Sequence, residues 1–163
     1  MKKLVFVCIG ISSINGDSIG PKLGSRLKNI QSIVVYGTEK DQINNLNYLE
    51  FYKKVKQEHK DDIVIAIDAA LGEQDIIGSI VVRDGGVKPG AAFFSDRESI
   101  GDIGLLAVVG NKQKDRKKEL EKVTNKTVKQ MVDKLFNLIN EIVCSYYCLL
   151  KWKREKSKIL NYH

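Results

Sequence analysis

The chain is 163 residues long, with 43% apolar and 29% charged residues, 13 glycines, two prolines and three cysteines. This composition excludes a disordered or low-complexity chain, and no apolar run approaches the roughly 18 residues of a membrane span. Three cysteines cannot make a closed disulfide framework, which points to a reducing compartment. The formal charge of +7 is unevenly spread: residues 1–111 carry 13 basic and 14 acidic side chains, residues 112–163 carry 14 and 6. The basic character belongs to the last third, so chemistry is sought in the nearly neutral part.

Residues 4–9 form a short apolar run that ends at Gly10. Behind Lys2 and Lys3 the run has the outline of a secretory signal, but it is too short and lacks a small-residue cleavage site. A buried strand is the better reading. Similar runs recur at residues 32–36, 63–67, 77–82 and 105–109, rich in Val and Ile and without in/out alternation. Such strands are buried on both faces, as in a parallel or mostly parallel sheet. Helical stretches lie between them. Residues 17–29 have Pro21 near the start, and residues 44–59 carry Leu46, Leu49, Tyr52, Val55 and His59 at spacings of three and four. The longest helix is expected over residues 113–143, striped by Leu120, Val123, Thr127, Met131, Leu135, Leu138 and Ile142. The alternation predicts an α/β sandwich with right-handed crossovers, its mostly parallel twisted sheet of about five strands flanked by helices. One domain is expected over residues 1–143, followed by a basic, aromatic C-terminal extension over 144–163.

The most informative segment is residues 8–21, where a strand ends at Gly10, a polar loop with Ser12 and Ser13 follows, and Gly16-Asp17-Ser18 opens a helix. It is not a phosphate loop, because Asp17 stands where such a loop needs Lys and Ser or Thr. The spacing of Gly10, Gly16 and Gly20 is wrong for a dinucleotide fingerprint. Asp17 either caps the helix or belongs to a site. The second segment is Ile67-Asp68-Ala69, in which a carboxylate closes an apolar strand at the carboxyl edge of the sheet. If the first and third strands are neighbours, Asp17 and Asp68 face one crevice. Close carboxylates raise one pKa and can share a proton, activating water for amide hydrolysis or holding a divalent metal with a further ligand. The plain alternative for Asp68 is a bond to the next turn. Asp102, after a long loop, is a candidate third carboxylate or a turn residue.

Together, Gly16-Asp17-Ser18-Ile19-Gly20-Pro21, Tyr36-Gly37-Thr38, Ile67-Asp68-Ala69-Ala70-Leu71-Gly72, Lys88-Pro89-Gly90 and Gly101-Asp102-Ile103 resemble the YyaC-type sporulation proteins. That family is related to the germination (spore) protease and, more distantly, to the hydrogenase maturation proteases. The resemblance covers residues 4–140 and implies a three-layer α/β sandwich of the hydrogenase maturation protease type and an endopeptidase activity in the cytoplasm of a sporulating cell or the spore interior. It also implies Asp17 and Asp68 as the active-site carboxylates, acting on a protein or peptide substrate. Gly10, Ser12, Ser13, Ser18 and Asp102 are the expected substrate-binding residues. In the maturation proteases two acids and a histidine gather around nickel. Here Gly104 stands where the histidine is expected, and His59 and His163 are the only histidines. An aspartate pair without metal or cofactor is the expected arrangement, and a catalytically inactive peptide- or partner-binding module of the same fold in sporulating cells is the alternative.

Cys8 reads as a core residue, and Cys144 with Cys148 as neither disulfide nor zinc site. In residues 145–163 the aromatics Tyr146, Tyr147 and Trp152 precede a cationic stretch. Three readings stay open for it: an anionic membrane surface or acidic partner, non-specific nucleic-acid contact, or a packed terminal helix. No sequence-specific nucleic-acid motif is present, and the oligomeric state is left open.

Overall fold

In the computed structural model, which describes residues 1–89 and 98–160, the apolar runs become one five-stranded sheet. Strands β1 (Leu4–Cys8), β2 (Val34–Tyr36), β3 (Ile63–Gly72), β4 (Ile80–Asp84) and β5 (Ile103–Asn111) lie in the order β2-β1-β3-β5-β4. The first four in that order are parallel, and β4 runs antiparallel to β5 on one edge. The helices are α1 (Ile19–Leu27), α2 (Tyr48–Glu58), α3 (Arg116–Glu121) and α4 (Asn125–Leu160). This is the mostly parallel α/β sandwich expected from the sequence.

The missing alternation has a direct cause. Leu4, Phe6, Cys8, Ile65, Ile67 and Leu105 project to one side, onto Ile19, Leu23 and Leu27 of α1 and Met131, Leu135 and Ile139 of α4. The intervening Val5, Val7, Val64 and Ala66 project to the other, onto Tyr48, Phe51 and Val55 of α2. With both faces covered, the central strands β1, β3 and β5 are apolar almost throughout, whereas the edge strand β4 is exposed and ends in Arg83 and Asp84. Each fully buried large side chain contributes roughly 1.5–3 kcal/mol. The helix α1 lies unusually close to the sheet. A Cβ on Gly20 would fall 2.0 Å from the carbonyl oxygen of Ile9, and one on Gly24 would fall 1.8 Å from that of Gly37.

Some expected elements shift. The helix expected over 113–143 is two helices. Asp115 caps α3 by accepting from the Lys118 amide at 2.9 Å, and Thr124 opens α4 by accepting from the Thr127 amide at 3.1 Å. Leu120 and Val123 are both buried across the break, so the apolar period runs straight through it. In α2 the buried stripe is Tyr48, Phe51 and Val55, while Leu46 and Leu49 are exposed. Both stripes share Val55 and helical spacing, and the aromatic one wins because it fills the volume against the sheet. The third strand runs on to Gly72, four residues past Asp68, because β5 continues to pair with it.

The longest element is α4, whose 36 residues at about 1.5 Å each span ~54 Å. It starts beside the carboxyl edge of the sheet, where Asn15 Nδ2 donates to the Val123 carbonyl at 2.8 Å. It passes the opposite, amino edge, where the Tyr146 hydroxyl donates to the Lys2 carbonyl at 2.8 Å and that of Tyr147 donates to the Ser32 carbonyl.

Candidate active site

The strand order places β1 between β2 and β3, with α1 on one face of the sheet and α2 on the other. The chain leaves β1 and β3 in opposite directions, which opens a crevice at their carboxyl ends. The last β1 pair is Cys8 with Ile67, so Asp68 stands one residue beyond the end of β1 and faces that crevice. A cavity of about 520 Å³ lies there, a size typical of ligand pockets. Asp17 and Asp68 both line it, with Gly10, Asn44, Asn45, Arg116 and Lys117, and the rest of its wall is apolar: Ile9, Ile11, Ile14, Leu46, Pro89 and Leu120.

Asp17 reaches the cavity because the loop before it folds back. Its Oδ2 accepts from the Ile11 amide at 3.0 Å, and no side-chain cap bond opens α1. The carboxylate therefore closes the 11–17 loop and does not cap the helix. Gly10 makes that fold possible, with φ at +142° and a position where a Cβ would lie 2.0 Å from the Asp17 carbonyl oxygen. Asp68 is 8% exposed.

Electrostatically the two acids are unequal. Burial raises the Asp17 carboxyl above the usual carboxylate range, against the Ile11 amide and the Arg116 charge, which lower it. Asp68 is pushed up to about 7, first by burial and then by the charge on Asp17, against Arg116 and the Ala69 amide. Asp68 therefore holds its proton more tightly than Asp17, and near neutral pH it is the member of the pair poised to gain or lose one.

Arg116, the first residue of α3, was not among the residues expected from the sequence. Buried Glu119, one turn later, accepts from the Asn111 amide at 2.7 Å and fixes the helix to the end of β5. Arg116 then comes within 3.5 Å of the Ala69 carbonyl, beside Asp68. A cation in the first turn after the fifth strand was the available signal.

The other expected residues divide. Gly10 is in the cavity wall, and Ser12 and Ser13 are exposed on the loop, with the Ser12 amide donating to Gln42 Oε1 at 2.9 Å. Ser18 is buried, and its hydroxyl donates to the Asn15 carbonyl at 2.6 Å. Asp102 is not brought to this cavity. Its Oδ2 accepts from the Val64 amide at 2.8 Å, at the amino edge, where it lines a smaller hollow of about 200 Å³ with His59 and Asp62. Pro89 of the Lys88-Pro89-Gly90 motif is in the cavity wall, while Gly90 and His163 lie outside the described residues.

His59 ends α2, with Nδ1 2.9 Å from Asp62 Oδ2 and Nε2 2.9 Å from the Tyr36 hydroxyl. It is remote from the acid pair. Among the described residues no group of three or more His, Cys, Asp or Glu side chains is placed to hold a metal ion. The donor set at the cavity is two carboxylates facing a guanidinium, which does not fit the two acids and histidine of a nickel site.

Three comparisons bear on this arrangement. The fold is similar to the crystal structure of the NiFe hydrogenase maturation protease HycI from Thermococcus kodakarensis KOD1, with a TM-score of 0.56, 18% identity, and coverage of 86% of this chain and 92% of that one. In sequence, the chain is 38% identical over 110 residues to the uncharacterized protein YyaC of Bacillus subtilis (strain 168). That match covers 66% of this chain and 54% of the relative, so the chain spans about half the length of the curated relative it matches. Residues 1–141 match the family model described as protein of unknown function (DUF1256), and the chain belongs to that family.

Proposed function

We propose that the chain is a peptide-bond hydrolase in which Asp17 and Asp68 activate water, serving the sporulation-linked processing that the YyaC resemblance implies. The observation that carries the reading is that two carboxylates, from the loop after β1 and from β3, line one largely apolar cavity together with the Arg116 guanidinium. The unequal environments of the two acids support a division of labour. Asp17, ionised, takes a proton from water as the oxygen attacks the scissile carbonyl carbon. Asp68, protonated, gives its proton to the carbonyl oxygen. Collapse of the resulting diol returns that proton to Asp68 as the C–N bond breaks, and Asp17 passes its proton to the leaving amine. Arg116 keeps the pair from becoming doubly protonated. The apolar wall, with exposed Leu46 at its rim, favours an extended polypeptide with a large apolar side chain next to the scissile bond.

The test is a peptide mixture of broad sequence coverage incubated with the wild type, Asp17→Asn and Asp68→Asn, with products identified by mass spectrometry. Products made by the wild type and lost in both variants are expected. Equal products from all three exclude the acid pair, and saturable peptide binding without any product replaces the hydrolase with a binding module.

A further inference from the structure

We propose that the end of α4 beyond Tyr147 is a docking element for an anionic membrane surface. The family match ends at residue 141, so this part of the helix lies outside the unit that builds the sheet and its cavity. Tyr146 and Tyr147 tie the helix to the domain through the carbonyls just before β1 and β2. From Tyr147 to Leu160 the helix continues for 13 residues, ~20 Å at about 1.5 Å per residue. Leu149 and Trp152 on this length are 59% and 53% exposed, although both are large and apolar. Interleaved with them are Lys151, Lys153, Arg154 and Lys156, all exposed, against Glu155 alone.

The pattern selects among anionic partners. A protein groove that takes a helix reads apolar residues at i, i+3 and i+7. Here Leu149 and Trp152 are followed at i+7 by Lys156, whose ammonium lies 4.7 Å from the Trp152 ring centre. A groove would have to bury that charge. A nucleic-acid backbone would satisfy the cations but leave Leu149 in water. A bilayer interface accepts both kinds of group: the leucine and indole rest at the headgroup boundary while the lysine stems extend to the phosphates. Among the described residues no helix is long and apolar enough to cross a membrane, so the element lies on the surface and does not span it. The amino edge of the domain carries charges of both signs, Lys2, Lys28 and Lys60 together with Glu58, Asp61 and Asp62. The attraction therefore belongs to the helix end. The cavity opens at the opposite, carboxyl edge and stays clear of the surface.

Trp152 is the only tryptophan in the chain and reports on its own environment. The full chain is titrated with phosphatidylcholine vesicles with and without phosphatidylserine, following Trp152 fluorescence and co-flotation. Duplex DNA and polyglutamate serve as the competing probes. A blue shift and flotation confined to the phosphatidylserine vesicles, reversed by salt, are expected. Each basic residue near such a surface contributes about a fivefold change in partitioning, so Lys151→Gln, Lys153→Gln and Lys156→Gln combined should weaken binding about a hundredfold. All three side chains are exposed, and an unchanged thermal midpoint verifies that the variant is folded. Equal binding to neutral vesicles, undiminished binding by the triple variant, or tighter binding to DNA or polyglutamate than to the vesicles overturns the proposal.

Discussion

Replacing Asp68 by Asn should make the protein more stable while abolishing the proposed hydrolysis. Asn keeps the shape of the side chain and an acceptor for the Ala69 amide, and it removes the charge. In the folded chain Asp68 is raised from 3.8 to about 7 by burial and by Asp17. A group whose pKa is higher in the folded state holds its proton more tightly there, so its contribution to stability is greatest below the unfolded value. Stability falls as pH rises from about 4 through about 7 and levels off above that. The separation of about three units corresponds to a penalty on the order of 4 kcal/mol in the ionised state. The Asn variant escapes that penalty. In urea, with a slope of about 2 kcal/mol per molar, its midpoint should lie ~2 M above that of the wild type near pH 8. The two midpoints should converge near pH 4, where both side chains are neutral. Paired urea titrations across this range are the assay. A variant no more stable than the wild type near pH 8, or a gap that does not change with pH, refutes the assignment of Asp68 as a buried, charge-penalised acid.

Arg116 lowers both carboxylates, so Arg116→Met should raise Asp68 further above about 7 and move the alkaline limb of the kcat/KM profile to higher pH; an unmoved limb removes Arg116 from the site. Gly20→Ala places a methyl group 2.0 Å from the Ile9 carbonyl oxygen and should cost about 1–3 kcal/mol or more, read as a lower thermal midpoint. A midpoint equal to that of the wild type contradicts the close approach. Cys144 and Cys148 are exposed, whereas Cys8 is buried and its thiol is pushed up to about 12. An aromatic disulfide reagent should titrate two thiols in the native protein and the third only after unfolding. Three rapid equivalents would mean that β1 is open to solvent.

The acid pair was legible because each member interrupts an apolar context. Asp17 follows a strand and a polar loop, and Asp68 ends a run of aliphatic residues whose neighbours are all buried. Strand adjacency, the one missing link, comes from the crossover of α2 behind β1 and leaves no local trace. Asp102 was drawn to the wrong edge for a topological reason. Because β4 runs antiparallel, the chain leaves it at the amino edge, and the Gly-Asp pair before β5 belongs to that end. Nothing in the residues of β4 states its direction. Arg116 was hidden by the charge count, which grouped it with the basic last third of the chain, away from the nearly neutral part where chemistry was sought. The break before α4 was hidden because Leu120 and Val123 keep the helical period across it.

The contact of α1 with the sheet has a consequence for how this molecule can vary. Gly20 meets the Ile9 carbonyl with no side chain between them, and Gly10 meets the Asp17 carbonyl in the same way. The separation of the two acids is therefore set by main chain resting on main chain, and not by the size of any core residue. Exchanges such as Ile for Val or Leu for Met in the layers above and below can be absorbed by neighbouring rotamers without being transmitted to the carboxylates. The core is free to drift while the spacing of the acid pair is kept, and the vulnerable positions are the glycines that carry no chemistry of their own.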